Sequence, residues 1–182
     1  AKTDGVVLPI LHLNGYKIAN PTLFARIPNE ELLAYFKGCG WAPYFVEGDD
    51  PLILHEKFAT VMDEVVERIR AIQEEAREKN NTKRPIWPMI ILKTPKGWTG
   101  PDIIDGKQIE GSFRAHQIPI EVSEKHPESL KRLETWLRSY HPEELFDENG
   151  TLKKEYCYIP VKERCMSYNI HANGGLLKEP LK

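Results

Sequence analysis

The fold class of this 182-residue chain is decided by the stretch Val6-Val7-Leu8-Pro9-Ile10-Leu11-His12-Leu13-Asn14-Gly15-Tyr16. The apolar run at 6–13 predicts a β-strand, although Pro9 argues against a fully central position in a sheet. The Asn14-Gly15 pair that follows predicts a turn. Open α/β sheets bind ligands at the carboxyl ends of their strands. The stretch therefore predicts a strand that carries the Asn14 amide to such an edge.

Strands and helices alternate through the first half of the chain. Asp50 followed by Pro51 predicts the start of a long helix, and the apolar residues after it recur every three or four positions. The continuously apolar run 89–92 is typical of a strand covered on both faces. Alternating elements predict an α/β fold with three layers, in which flanking helices cover a mostly parallel sheet. The other predicted elements are a helix at 29–36 capped by Asn29 and a strand at 44–46.

The second half changes character. Residues 94–122 are rich in glycine and proline and predict one long, structured loop rather than a helix or strand. Helices are expected to begin at Pro127 and at Pro142, and the sequence beyond Gly150 reads as a connecting segment.

The composition excludes several functions. Apolar residues make up 41% and charged residues 29%, and the net charge is −2 without a basic stripe, so no nucleic-acid partner is expected. The apolar runs are too short to cross a membrane. Three scattered cysteines favour a reducing, cytoplasmic location. The chain starts without Met and almost directly in a strand, which suggests an excised fragment.

Five residues are candidates for chemistry. The Asn14 amide oxygen and the Tyr16 carbonyl could be magnesium ligands, since Mg²⁺ prefers oxygen donors and usually shares phosphate oxygens; the alternative is a simple Asn-Gly turn. Lys96, in a Pro-Lys-Gly loop, could face a phosphate as a point charge, or it is a solvated turn residue. His116 could carry a proton near neutral pH or be structural. His171, beside two glycines, is equally ambiguous.

Long motifs across nearly the whole chain resemble those of phosphoketolases. They include Leu11-His12-Leu13-Asn14-Gly15-Tyr16-Lys17-Ile18-Ala19-Asn20-Pro21-Thr22, Tyr44-Phe45-Val46-Glu47-Gly48-Asp49-Asp50-Pro51, Thr94-Pro95-Lys96-Gly97-Trp98-Thr99-Gly100-Pro101, Glu110-Gly111-Ser112-Phe113-Arg114-Ala115-His116-Gln117 and His171-Ala172-Asn173-Gly174-Gly175. The resemblance implies a thiamine-diphosphate- and Mg²⁺-dependent enzyme similar to transketolase. Such an enzyme cleaves xylulose 5-phosphate, often also fructose 6-phosphate, with inorganic phosphate to acetyl phosphate and an aldose phosphate.

The resemblance also implies roles and boundaries. Asn14 and the Tyr16 carbonyl would bind the metal, Lys96 would contact cofactor phosphate or substrate, and His116 would lie beside the cofactor and help a hydroxyl leave. Residues 1–122 would be the last part of the diphosphate-binding domain, and 123–182 a linker towards a pyrimidine-binding domain. The Gly-Asp-Gly half of the family's metal motif does not occur before Asn14.

The family's site lies between two subunits, so the parent is expected to be a homo-oligomer. The isolated chain is expected to be inactive and to self-associate. The competing hypotheses are a non-catalytic binding or regulatory α/β module, and a stand-alone enzyme with Lys96 and His116 as an acid–base pair in a closed pocket. Preference for a pentose or a hexose phosphate does not follow from these residues.

Overall fold

A three-stranded parallel sheet forms the centre of the first part of the structure. The computed structural model describes residues 5–117, 119–158, 160–162 and 165, and it divides into two compact units, 1–132 and 133–182. Within the first unit the strand order is β1-β3-β2, and both pairings are parallel. The predicted α/β fold with a mostly parallel sheet is confirmed. The strands are β1 (Ile10–His12), β2 (Trp41–Glu47) and β3 (Trp87–Lys93).

The bounds of the outer strands differ from the prediction. β1 is shorter than 6–13, because its pairing with β3 runs only from Ile10 to His12. β2 is longer than 44–46, since it pairs with β3 along its full length and includes Pro43. A proline is tolerated there because β2 is an outer strand of the described sheet and needs hydrogen bonds on one side only.

Two apolar clusters pack against opposite faces of β3. Side chains alternate along a strand, so Met89 and Ile91 join one cluster and Ile90 joins the other. The first cluster includes Leu32 of α1 (Asn29–Gly38), and the second includes Leu54 and Val65 of α2 (Pro51–Arg77). Helices on both faces give the predicted three layers.

The two helix starts have different outcomes. The Asp50 carboxylate accepts a hydrogen bond of 2.9 Å from the backbone N–H of Ile53, which confirms it as the N-cap of α2. The prediction that Asn29 caps α1 is wrong. The cap is Pro28, and the Asn29 amide instead binds Glu47 and Lys93, charged partners at the ends of β2 and β3.

The segment 94–122 is ordered around two buried side chains, Ile109 and Ile120. It contains a short hairpin that was not predicted, formed by β4 (Ile103–Ile104) and β5 (Lys107–Gln108), and a 3₁₀-helix at Phe113–His116. An Asp105-Gly106 turn with positive φ at both residues joins the hairpin strands, which is the geometry such turns need.

Two further α-helices begin at the two predicted prolines. They are α3 (Pro127–Arg138) and α4 (Pro142–Leu145), and a 3₁₀-helix follows at Lys154–Tyr156. In the second unit the Lys153 ammonium donates to the Glu143 carbonyl at 2.7 Å, which joins the segment after α4 to that helix. In the part of the chain that the structure describes, no helix combines the length and the apolar character needed to cross a membrane.

Candidate functional site

Three of the five candidate residues, Asn14, Tyr16 and Lys96, meet at the carboxyl edge of the sheet. The Lys96 ammonium donates a hydrogen bond of 3.0 Å to the Tyr16 carbonyl. The Tyr16 backbone N–H in turn donates to the Asn14 amide oxygen at 3.3 Å. Lys96 follows β3 and the other two follow β1, so the cluster joins loops 80 residues apart in sequence. The parallel strands thus bring these residues together, as the strand directions predict.

The loop after β1 is closed by its own backbone. Thr22 N–H donates to the Gly15 carbonyl at 2.9 Å, and Lys17 N–H donates to the Asn20 carbonyl at 2.9 Å. Gly15 has a φ of +91°, a conformation that glycine adopts at little cost. This closure fixes the direction of the intervening Tyr16 carbonyl.

Lys96 is a buried cation rather than a solvated turn residue. Only 9% of its surface is exposed, and its backbone carbonyl accepts from Gly111 N–H at 2.8 Å. Two residues on, the Trp98 indole N–H donates to the Asp49 carbonyl at 2.7 Å. Burying an ammonium is costly unless it is hydrogen-bonded, so its bond to Tyr16 matters for folding as well as for placement.

His116 lies beside this loop without joining the cluster. It ends the 3₁₀-helix that presents Ala115 to Gly97, where an added Cβ would lie 2.5 Å from the Ala115 Cβ. The His116 side chain is exposed, and within the described residues it forms no hydrogen bond with Lys96. The structure therefore does not support a closed acid–base pair of these two residues. His171 lies outside the described residues.

The cluster fits part of a metal–diphosphate site. The Asn14 amide and the Tyr16 carbonyl offer oxygens that each keep a free lone pair, and such oxygens suit Mg²⁺. Lys96 suits a phosphate. Among the described residues no group of three or more His, Cys, Asp and Glu side chains could hold a metal ion. This cluster of described residues therefore offers two neutral oxygens and one positive charge.

A second polar cluster occupies the same edge between β2 and β3. The Lys93 ammonium lies 2.9 Å from the Glu47 carboxylate and donates to the Asn29 amide oxygen at 3.0 Å. The hydrogen bond from Lys93 is the largest cause that lowers the pKa of Glu47 below its ordinary value, against an opposing effect of burial. These charges neutralise each other, so the cluster stabilises the strand ends rather than offering a free cation.

Glu110 is the one described carboxylate near Lys96 whose pKa shifts upward. Burial is the largest cause that raises this pKa, a hydrogen bond from the Thr99 backbone opposes it, and the negative charges of Asp102 and Asp49 raise it further. Glu110 directly precedes Gly111, whose backbone N–H donates to the Lys96 carbonyl at 2.8 Å. It is thus a group whose protonation responds to pH in the loop that holds Lys96.

The structure also places a pair to which the sequence assigned no role. The His12 ring nitrogen Nε2 lies 2.7 Å from the Thr94 hydroxyl, and Thr94 is only 6% exposed. Each member stands two residues before a candidate, Asn14 or Lys96. His12 is a polar residue within an apolar strand, and Thr94 directly follows one. This equal spacing from a candidate is the signal in the sequence that could have identified the pair.

Comparison with known proteins identifies the family of this chain. The model of a protein family described as the XFP N-terminal domain matches residues 1–177. The chain belongs to the XFP N-terminal domain family. Three curated relatives extend the comparison. A "Probable phosphoketolase" from Clostridium acetobutylicum is 58% identical over 181 residues, 99% of this chain and 23% of that protein.

The other two relatives give the same result. A "Probable phosphoketolase" from Rhodopirellula baltica is 55% identical over 181 residues, 99% of this chain and 23% of that protein. A "Probable phosphoketolase 2" from Lactiplantibacillus plantarum is 56% identical over 180 residues, 98% of this chain and 23% of that protein. The chain thus spans about 23% of the length of these relatives. The similarity to phosphoketolases inferred from the motifs is confirmed.

Proposed function

We propose that this XFP N-terminal domain chain contributes part of the metal–diphosphate site of a thiamine-diphosphate-dependent phosphoketolase. The observation that carries the proposal is the bond between Lys96 and the Tyr16 carbonyl, because it joins the predicted phosphate-binding and metal-binding residues. The names of the relatives support the same activity. The substrates proposed are xylulose 5-phosphate, with or without fructose 6-phosphate, and inorganic phosphate, and the products are acetyl phosphate and an aldose phosphate.

The chain's own residues bind and orient. Asn14 and the Tyr16 carbonyl would hold Mg²⁺, and the charge of Lys96 would neutralise diphosphate oxygens. Bound thiamine diphosphate supplies the nucleophilic carbon needed to cleave the carbon–carbon bond of the sugar. Burial of Lys96 strengthens its effect, since a charge acts more strongly where water is excluded.

His116 is proposed to handle a proton. It ends the 3₁₀-helix whose Ala115 packs on Gly97 of the Lys96 loop, and its side chain is exposed. His116 would donate a proton to the hydroxyl that leaves the substrate, a general-acid role that histidine side chains often take. In this proposal His116 is catalytic, while Asn14, Tyr16 and Lys96 are binding residues.

The proposal has consequences beyond the described cluster. The Asn14 and Tyr16 oxygens would leave most ligand positions of Mg²⁺ to phosphate, water or other protein groups. We therefore propose that the complete site needs further protein segments and lies at the interface of a homo-oligomer, and that the enzyme is cytoplasmic. Free thiols at Cys39, Cys157 and Cys165 are compatible with a reducing compartment.

The test compares the complete gene product that contains this chain with the 182-residue chain itself. Acetyl phosphate formed from xylulose 5-phosphate and phosphate is trapped as a hydroxamate and measured by its colour. We expect turnover from the gene product and none from the chain. A charged hydrogen bond contributes about 1.5–3 kcal/mol, so Lys96→Met should raise the half-saturating thiamine diphosphate concentration by about 10- to 100-fold.

Lys79→Met is the matched control, because Lys79 is an exposed lysine of the same charge after α2 and pairs with the exposed Glu75, away from the candidate site. It should leave the saturation curve unchanged. An inactive complete gene product would refute the enzymatic proposal and favour the binding or regulatory module. Equal curves for Lys96→Met and Lys79→Met would refute the role of Lys96.

A further inference from the structure

Within the described residues, the His12–Thr94 pair is one of two side-chain hydrogen bonds that join the end of β1 and the loop after it to the segment after β3. Among the described residues, the last backbone hydrogen bond at this end of the β1–β3 pairing runs from the N–H of Leu13, directly after β1, to the Leu92 carbonyl at 2.7 Å. Beyond it the two chains separate into loops. Two side-chain hydrogen bonds join the segments here in the described structure: His12, the last residue of β1, to Thr94 at 2.7 Å, and Lys96 to the Tyr16 carbonyl at 3.0 Å.

The two links are arranged in series. His12 and Thr94 lie next to the end of the ladder, and Asn14, Tyr16 and Lys96 lie beyond them. A change in the direction of either chain at the first link is therefore carried to the second. The Thr94 hydroxyl is well placed to fix this direction, because the residue is 6% exposed and its branched side chain has few rotamers.

The chemistry of the pair supports a specific role. A buried hydroxyl costs free energy unless it is hydrogen-bonded, and His12 is the partner that satisfies it. The imidazole can accept from the hydroxyl or donate to it, according to its tautomer. Either direction gives the same geometry, so the link needs a ring nitrogen at His12 and an oxygen at Thr94, but no particular charge.

We propose that His12 and Thr94 are positioning residues for the metal–diphosphate site. Their hydrogen bond sets the separation of the two loops, and so holds the Asn14 and Tyr16 oxygens opposite Lys96. This inference rests on the proposed function. Residues that orient metal ligands without touching the metal typically affect its affinity by about 10- to 100-fold, and the same size of effect is expected here.

The test uses the complete gene product and measures binding by quenching of tryptophan fluorescence, with Mg²⁺ titrated at a fixed, saturating thiamine diphosphate concentration. Thr94→Val removes the hydroxyl and keeps the branched shape. It should raise the half-saturating Mg²⁺ concentration by about 10-fold. Thr94→Ser restores the oxygen and should bring the value back close to that of the wild type. Thr60→Val removes an exposed helical hydroxyl of α2 and is the control, with no change expected.

A double-mutant cycle separates a specific link from general damage. If His12 acts through Thr94, then the double variant His12→Phe, Thr94→Val should raise the half-saturating Mg²⁺ concentration no more than either single change does. Hydrogen exchange at the Tyr16 backbone N–H should quicken in Thr94→Val, because its loop loses a support. Additive effects, an unchanged Mg²⁺ curve for Thr94→Val, or failure of Thr94→Ser to recover would each overturn the inference. Failure of the wild-type protein to bind Mg²⁺ with thiamine diphosphate would refute the proposed function itself, which is a different result.

Discussion

Gly97→Ala tests the packing that places His116 beside the Lys96 loop. Gly97 has a φ of +73°, and a Cβ at this position would lie 2.5 Å from the Ala115 Cβ. The left-handed backbone costs an alanine about 1–2 kcal/mol. The clash is a case of overpacking, which costs about 1–3 kcal/mol more. The expected loss in the free energy of unfolding is therefore about 2–5 kcal/mol.

Gly106→Ala provides a matched control within the same loop. Gly106 has a φ of +74°, almost the same as that of Gly97, but nothing lies within 4 Å of its added Cβ. The free energy of unfolding of Gly106→Ala should fall only by the cost of the left-handed backbone, about 1–2 kcal/mol. The difference between the two variants therefore isolates the contact with Ala115.

Urea unfolding followed by tryptophan fluorescence measures both variants, and Trp98 reports directly on this loop. Adding Ala115→Gly to Gly97→Ala removes the clashing methyl group and should recover the overpacking part, less about 0.5–1 kcal/mol for the new glycine. Equal destabilisation by Gly97→Ala and Gly106→Ala would show that Ala115 does not pack on Gly97. It would also refute the placement of His116 beside the Lys96 loop.

Three further predictions concern stability and assembly. Asp50→Ala removes the cap of α2 and should lower the free energy of unfolding by about 1 kcal/mol in urea titrations; no loss would contradict the capping bond. The raised pKa of Glu110 means that its folded form binds the proton more tightly, so this group's stabilisation is present below pH 4.5 and is lost as pH rises through the raised pKa. Glu110→Gln should therefore gain stability relative to the wild type between pH 4 and pH 7, and a constant difference in urea midpoint would refute this. The 182-residue chain should self-associate in light scattering, because Val7 and Ile10 are 77% and 47% exposed beside an outer strand; Ile10→Lys should reduce it, and a concentration-independent monomer would contradict it.

Much of the fold follows from local patterns. The run 89–92 predicts β3 because a strand covered on both faces needs apolar residues at every position, and Ile90 and Ile91 are fully buried. Asp50 and the apolar residues that recur every three or four positions after it predict α2, because a helix that packs on a sheet needs an N-cap and one apolar face. The sequence underestimates the length of β2, because Trp41-Ala42-Pro43 lacks a strand pattern. In the structure these residues are nevertheless in the strand, since they pair with β3.

The candidate site was predictable in place but not in its contacts. The rule that parallel strands end at one edge places Asn14 and Lys96 together. The partner of Lys96 and the link from His12 to Thr94 depend on the register of residues 80 and 82 positions apart, and no local pattern encodes that register. Asn29 shows the converse. Its local context favours a helix cap, but in the structure its side-chain amide is hydrogen-bonded to charged residues at the ends of two strands, Glu47 and Lys93.

Lys96 and Mg²⁺ are proposed to approach the same carbonyl, and this has a measurable consequence. The ammonium lies 3.0 Å from the Tyr16 oxygen, and a magnesium ligand lies about 2.1 Å from its ion, so the two cations could be at most about 5 Å apart. At an effective dielectric constant of about 20 their repulsion is of the order of 7 kcal/mol. The lysine can avoid this by leaving the carbonyl, at a cost of about 1–3 kcal/mol for the lost hydrogen bond.

An anion between the two cations removes either penalty, so Mg²⁺ and thiamine diphosphate should bind with positive linkage. We expect thiamine diphosphate to lower the half-saturating Mg²⁺ concentration of the complete gene product by at least about 5-fold, the lower end of a coupling of 1–3 kcal/mol. Calorimetric titration of Mg²⁺ with and without the diphosphate measures this factor. Lys96→Met removes one of the two cations and should reduce the factor, whereas Lys79→Met should not. Identical Mg²⁺ curves with and without thiamine diphosphate would mean that Lys96 and the metal do not share the Tyr16 carbonyl.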